Sequence, residues 1–358
     1  MTPKSSRLLH VDALKALAAQ AIVLHHLAAY GPIAETVQEL LPALMDGLYH
    51  YGRMAVQVFL VVGGFLSARG LAPAGRPFEG AALPLLWRRY LRLMLPFMAA
   101  VLLTLGCSVL VAPWLPELVP ASVSASQLFS HALLLHGVLG HEALTVGAWY
   151  VAIDMQLFAL LLGLMWLVRG LPTSLSRRLG PALVLLLTAA SLWVFNLNAE
   201  LDVWALYFFG SYGLGALVHW LGRSKRRGLT TLLLTGLVLA ALVYEFRERI
   251  ALALATALLL AWLQQRHQAG RPLLRGTSLA ALVGQLGTHS YALFLVHFPI
   301  CLLANAVFER KDPEHAMHGL LALAAAWALS NLASLPFYRW IEAPAGRLRL
   351  SLPRVLGA

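Results

Sequence analysis

Apolar runs long enough to cross a bilayer recur along the chain at about 11–30, 54–70, 90–112, 146–168, 181–197, 203–221, 229–245, 250–265, 287–308 and 318–340. About 20 apolar residues span the hydrocarbon layer as a helix, so the pattern predicts an all-α polytopic membrane protein, a bundle of about ten transmembrane helices. A further apolar stretch, 126–139, is shorter and carries His131 and His136. It predicts a re-entrant or interfacial helix rather than an eleventh span. No internal repeat is visible, and 1–358 reads as a single integral-membrane domain with no fused soluble domain.

Polar positions inside the apolar runs carry the most information. Lys15 and His26 sit eleven residues apart in the first run. At 100° per residue that spacing returns to almost the same face, roughly 16 Å along the axis. Ionisable residues inside a span are costly unless they face a cavity or a partner, so the stripe predicts a functional path. Snorkelling of Lys15 to one interface, with His26 at the other, is the structural alternative. The fourth run opens with Trp149, Tyr150, Asp154 and Gln156, placing a carboxylate and an amide near one end. His26 lies at a similar depth and is the partner expected for Asp154. A carboxylate that fixes an imidazole's tautomer leaves its other nitrogen free as a general base. A plain interhelical ion pair or hydrogen bond is the competing account. In the ninth run Tyr291 and His297 are expected to line the same cavity.

Composition agrees with the apolar pattern. The chain has 358 residues, 59% hydrophobic and 12% charged, with a mean hydropathy of +0.73, far from the balance of a soluble domain. The formal charge of +11 raises nucleic acid as a partner. Its basic residues, however, fall in short clusters between spans, which fits orientation in a bilayer, so no nucleic-acid partner is expected. The clusters are Lys4/Arg7, Arg69/Arg76/Arg88/Arg89/Arg92, Arg169/Arg177/Arg178, Arg223/Lys225/Arg226/Arg227, Arg266/Arg271/Arg275 and Arg347/Arg349/Arg354. The positive-inside rule makes that side cytoplasmic, with both termini on it. Segment 113–147 has no Lys or Arg and falls on the other side. Arg88, Arg89 and Arg92 are a candidate diphosphate site, against the plainer role of holding topology and anionic lipid. His131, His136 and His141 recur every five residues, which walks around a helix; no metal is expected. Cys107 and Cys301 have no ligand spacing.

These residues together resemble integral-membrane acyltransferase family 3, the group of O-antigen, glucan and exopolysaccharide O-acyltransferases. Asp12, Lys15 and His26 match the family's first-helix signature, with lysine for the usual arginine. Also similar are 56–66 with Gly64-Phe65-Leu66, Arg88-Arg89 with 92–96, 149–158, Ser290-Tyr291 with His297-Phe298-Pro299, and 337–344. Gln57 and Gly63 stand where the family commonly has an acidic residue and a serine, and Asp154 where glutamate is more usual.

The resemblance implies an inner-membrane enzyme with the lipid bilayer as its medium. It would move an acetyl or other short acyl group from cytoplasmic acyl-CoA, a donor substrate rather than a bound cofactor. The acceptor would be a hydroxyl of an extracytoplasmic glycan or glycolipid, reached by the bundle itself or with a separate periplasmic partner. On that reading His26 is the base, Asp154 orients it, and Lys15 lies on the donor route. Arg88, Arg89 and Arg92 bind the donor, and His297, Tyr291, Gln156 and Trp149 line the cavity. Arg339 and Glu342 are expected to form an architectural pair. The rival reading is a polytopic transporter or flippase of a glycan or lipid intermediate.

Overall fold

The computed structural model describes residues 8–222, 224, 226–273, 276–311 and 316–348. The Lys4, Arg7, Arg223, Lys225, Arg275, Arg349 and Arg354 positions used in the charge reading lie outside them. The described backbone is helical and contains no strand. Its elements are α1 (Leu9–Ala29), α2 (Pro32–Leu40), α3 (Pro42–Gly52), α4 (Val56–Leu71), α5 (Ala82–Val111), α6 (Ala125–Ala132), α7 (Ala148–Val168), α8 (Thr173–Trp193), α9 (Ala205–Leu221), α10 (Arg227–Tyr244), α11 (Glu248–Gln268), α12 (Ser278–Lys311) and α13 (Ala316–Phe337). A π-helical turn, Tyr338–Glu342, continues α13.

Each predicted apolar run carries a helix. Eight helical stretches among the described residues are long and apolar enough to cross a membrane. They are α1, α5, α7, α10 and α12, together with α4, α8 and α13 in their continuations Pro42–Leu71, Thr173–Leu197 and Met317–Ala345. The remaining two long helices depart from that type. α9 has 17 residues, almost all of them buried, and α11 carries Glu248, Arg249, Arg266 and His267 at its ends. The chain is a multi-pass membrane protein.

The 126–139 stretch differs from the expected single helix. Its helical part is α6, eight residues from Ala125 to Ala132, only about 12 Å long at 1.5 Å per residue. Ser124 caps its start by accepting from the Gln127 N–H at 3.1 Å. Leu134 ends it at φ 58°, a left-handed conformation uncommon outside glycine. The Leu135 N–H then reaches the Ser130 carbonyl and the Leu134 N–H the His131 carbonyl, the two bonds of a Schellman motif.

α9 is central because glycine lets its backbone touch that of α4. A Cβ on Gly64 would sit 1.8 Å from the Tyr212 carbonyl oxygen, and a Cβ on Gly215 would sit 1.8 Å from that of Val61. In a bilayer, lipid tails are as apolar as leucine, so close van der Waals contact of this kind does the work of holding helices together. Polar clasps add to it. Gln57 accepts from the Ser211 hydroxyl at 2.6 Å, and the Tyr212 hydroxyl donates to Ser67 at 2.8 Å. The long helices alternate in direction, so the start of α4, α7, α9 and α11 meets the end of α1 and α5 at one face. The arginines among the described residues at 69, 76, 88, 169, 177 and 178 gather toward the opposite face.

Gly64→Val and Gly215→Val are each expected to cost more than ~2 kcal/mol by forcing α4 and α9 apart. Gly236→Val, where a Cβ meets nothing within 4 Å, is expected to leave the protein unchanged. Thermal unfolding in detergent checks this, and equal melting of all three variants would discount the contact.

Candidate active site

A cavity of about 1080 Å³ opens among these helix ends and the segment between α5 and α7. His26 and His25 of α1, Gln57 of α4, Trp149 and Gln156 of α7 and His136 of the connecting segment line it. Its charged lining is mixed, with Glu117, Glu142, Asp202 and Glu248 facing Arg53, Arg247 and Arg249. The polar lining residues are held from behind. The Gln156 amide donates to the Val203 carbonyl at 3.2 Å and accepts from the Ala205 N–H at 3.0 Å, fixing α7 to the start of α9. Trp149 stacks on Phe208 at 5.5 Å between centroids.

His26 is paired with His297, not with Asp154. The His297 Nε2 lies 2.8 Å from the His26 Nδ1, and the rings stack at 4.9 Å. The His297 Nδ1 is 3.2 Å from the Leu293 carbonyl, which can only accept. In the neutral pair, therefore, His297 carries its proton on Nδ1 and accepts at Nε2, and His26 donates from Nδ1. The basic nitrogen left on His26 is Nε2. His297 itself is buried and does not line the cavity, so the expectation that it would is corrected: it acts on His26 from behind.

Asp154 is buried and pairs with Arg89 of α5. The two residues were expected to serve different sites. An acidic group in an apolar bundle needs a full countercharge, and a guanidinium supplies it where a neutral imidazole does not. The arginine also lies over the Phe158 ring, 5.3 Å from its centroid. Tyr150, which lines the cavity, is within electrostatic reach of both charges.

The three arginines consequently do not form one site. Arg88 is exposed and donates from Nε to the Pro84 carbonyl at 3.2 Å. Arg89 turns inward to Asp154, while the exposed Arg92 faces Glu342. Adjacent residues on a helix point 100° apart, which is enough to divide them. Glu342 lies within reach of Arg92 and Lys15, so the expected Arg339–Glu342 pair is replaced by a cluster across three helical segments. Lys15 donates to the Gly287 carbonyl at 2.7 Å and lies 3.9 Å from Asp12. Gly287 permits this because a Cβ there would come 2.5 Å from Asp12. Lys15 is thus outside the cavity, at the other end of α1. Tyr291 is outside it too, its hydroxyl donating to the Leu93 carbonyl at 3.0 Å.

Three polar stations now stand along the bundle: the His26–His297 pair at the cavity, the Arg89–Asp154 pair, and the Lys15–Glu342–Arg92 cluster near the arginine-rich face. A family model described as an acyltransferase domain matches residues 8–339. The chain belongs to acyltransferase family 3. It is an acyltransferase, and the transporter reading gives way to that membership. No curated protein and no solved structure matches the chain. Sequence reasoning missed His136, His25 and the placing of Glu342 within electrostatic reach of Arg92 and Lys15. The acid-bearing 337–344 ending was the signal for Glu342, whereas nothing in the sequence marked His136 above its neighbours.

Asp154→Asn leaves the Arg89 guanidinium without its countercharge. It is expected to cost about 3 kcal/mol of stability, with the Arg89→Met/Asp154→Leu double variant recovering most of the loss. Melting temperatures of the purified variants decide the matter, and an Asn variant as stable as wild type would argue against the ion pair as a structural constraint.

Proposed function

We propose that this acyltransferase carries an acetyl or other short acyl group from cytoplasmic acyl-CoA to a hydroxyl of an extracytoplasmic glycan or glycolipid, in the bacterial inner membrane. The arginine-rich face is the cytoplasmic one by the positive-inside rule, with both termini on it. The cavity then opens to the outside, and its size, aromatic surfaces and mixed charge suit a polyhydroxylated acceptor.

The observation that carries this reading is His26 on the cavity wall, its Nδ1 held by His297 and its Nε2 left basic. An acceptor hydroxyl bound beside Nε2 gives its proton to that nitrogen as its oxygen attacks the thioester carbonyl. The C–S bond then breaks, and the proton on His26 returns to the departing thiolate of CoA. His297 keeps the His26 ring in the orientation and tautomer that the step requires. On the donor side, the Lys15–Glu342–Arg92 cluster and the exposed Arg88 provide the positive surface for the CoA phosphates.

The test is release of free CoA by the purified, reconstituted protein, with acetyl-CoA on the arginine-rich side and a glycan extract on the other. Release that requires the glycan is expected, and His26→Ala should lower it by about 10²–10⁴-fold while leaving the protein folded. Undiminished release from His26→Ala would exclude His26 as the base. His297→Phe removes the acceptor that orients His26, so its kcat is expected to fall with the KM for acetyl-CoA unchanged. A shift in that KM alone would move His297 to the donor site.

A further inference from the structure

The acceptor side of the cavity holds a further imidazole, beside His25 and His26, for which acyl transfer through His26 has no use. His136 lines the cavity and is only 2% exposed, and neither of its ring nitrogens has a hydrogen-bond partner among the described residues. Buried polar atoms are nearly always partnered, so two orphan nitrogens on one ring in a cavity wall point to a ligand that supplies the partners.

The surroundings hold the ring in place without satisfying it. His136 stacks on His131 at 4.2 Å between centroids and 14° between planes, and both lie against Phe97. His131 is fully committed: its Nε2 accepts from the Leu144 N–H at 3.0 Å, so its Nδ1 carries the proton donated to the Gln127 carbonyl at 2.8 Å. It is a fixed platform. The left-handed Leu134 between the two histidines makes the turn that folds one ring over the other. A non-glycine residue held in that conformation is a strain retained where the surrounding structure demands it, typically at binding and catalytic sites. Burial, and then the neighbouring His131 and His141, push the His136 imidazole down to about 4, so at neutral pH it has one N–H donor and one nitrogen acceptor. A sugar hydroxyl likewise gives one hydrogen bond and receives one. Across the same cavity, Trp149 is 41% exposed and presents an aromatic surface for the apolar side of a sugar ring.

We propose that His136 is the acceptor-recognition residue of this cavity, exchanging hydrogen bonds with hydroxyls of a saccharide ring whose reacting hydroxyl is presented to His26. The assignment rests on the glycan-acceptor reading above and gives that acceptor a neutral, ring-hydroxyl recognition element. It makes His136 a positioning and specificity residue rather than a proton carrier.

The experiment measures acetyl transfer by the reconstituted protein to a panel of methyl glycosides of glucose, galactose, mannose, rhamnose and N-acetylglucosamine. His136→Phe keeps an aromatic ring on His131 and removes both nitrogens. Its KM for the preferred glycoside is expected to rise about tenfold, the scale of one or two lost hydrogen bonds, and its preference among the five to flatten. Its kcat and its KM for acetyl-CoA are expected to stay within about twofold of wild type. His136→Asn, which keeps a donor and an acceptor but withdraws them from the cavity, is the companion variant and is expected to raise the glycoside KM as well. A wild-type glycoside KM in whichever of the two variants folds overturns the proposal, as does a fall in kcat that tracks lost thermal stability with KM unchanged. If wild type transfers acetyl to none of the glycosides, the glycan-acceptor reading fails and the His136 assignment falls with it. Transfer by wild type with unaltered variants removes the His136 assignment alone.

Discussion

The arrangement of this bundle turns on one constraint, that a carboxylate inside an apolar helix assembly must be neutralised by a countercharge. Asp154 meets it with Arg89. The pair joins α5 to α7, with the guanidinium over the Phe158 ring and the cavity-lining Tyr150 within electrostatic reach of both charges. Breaking such a pair leaves one buried charge with no solvent to receive it, which is why it is costly even when forming it contributes little. The remainder of the site follows from this commitment. With Asp154 occupied, His26 donates its orienting hydrogen bond to another imidazole, and Arg89 is withdrawn from the arginine-rich surface where its sequence neighbours remain.

On the proposed reading, that substitution of partner changes the character of the base. A carboxylate behind a histidine stabilises the imidazolium that forms during reaction. His297 fixes the tautomer equally well through its bond to the Leu293 carbonyl, but it brings no negative charge. The groups that act on His26 through space are His297 and His25, both imidazoles. On the proposed reading, the base at Nε2 hands its proton on to the leaving thiolate within the same turnover. The stacked arrangement supplies direction without supplying a sink.

How far the sequence carried this picture depends on which coordinate was asked of it. Position along a helix was legible: apolar runs located the long helices, and the eleven-residue spacing placed Lys15 and His26 at opposite ends of α1. Rotation about the helix was not. A helix that is apolar all round offers no polar face from which to infer which neighbour a residue meets. His26 and Asp154 thus shared a depth without sharing a contact, and Arg89 shared a cluster with Arg88 and Arg92 without sharing their direction. The 126–139 stretch failed for a different reason. Its helix stops at a leucine in the left-handed conformation, so the glycine that ordinarily announces such a stop is missing. Read as one helix, the stretch sends His131 and His136 to different faces; with the turn in place they stack.

The vertical separation of the polar stations sets a demand on the donor. Lys15 and His26 are eleven residues apart on α1, roughly 16 Å at 1.5 Å per residue. Lys15 is held to the Gly287 carbonyl where α1 and α12 approach closely, so that distance is built into the α1–α12 contact rather than set by a mobile side chain. On the proposed reading, the phosphates of CoA stop at the arginine-rich face because their charge cannot enter the apolar bundle. The thioester must then reach His26 on a long, slender, mostly uncharged arm that passes the Arg89–Asp154 level. On that reading the bundle separates two jobs that a soluble acyltransferase performs in one pocket: charge recognition at one membrane face, and proton transfer at the other.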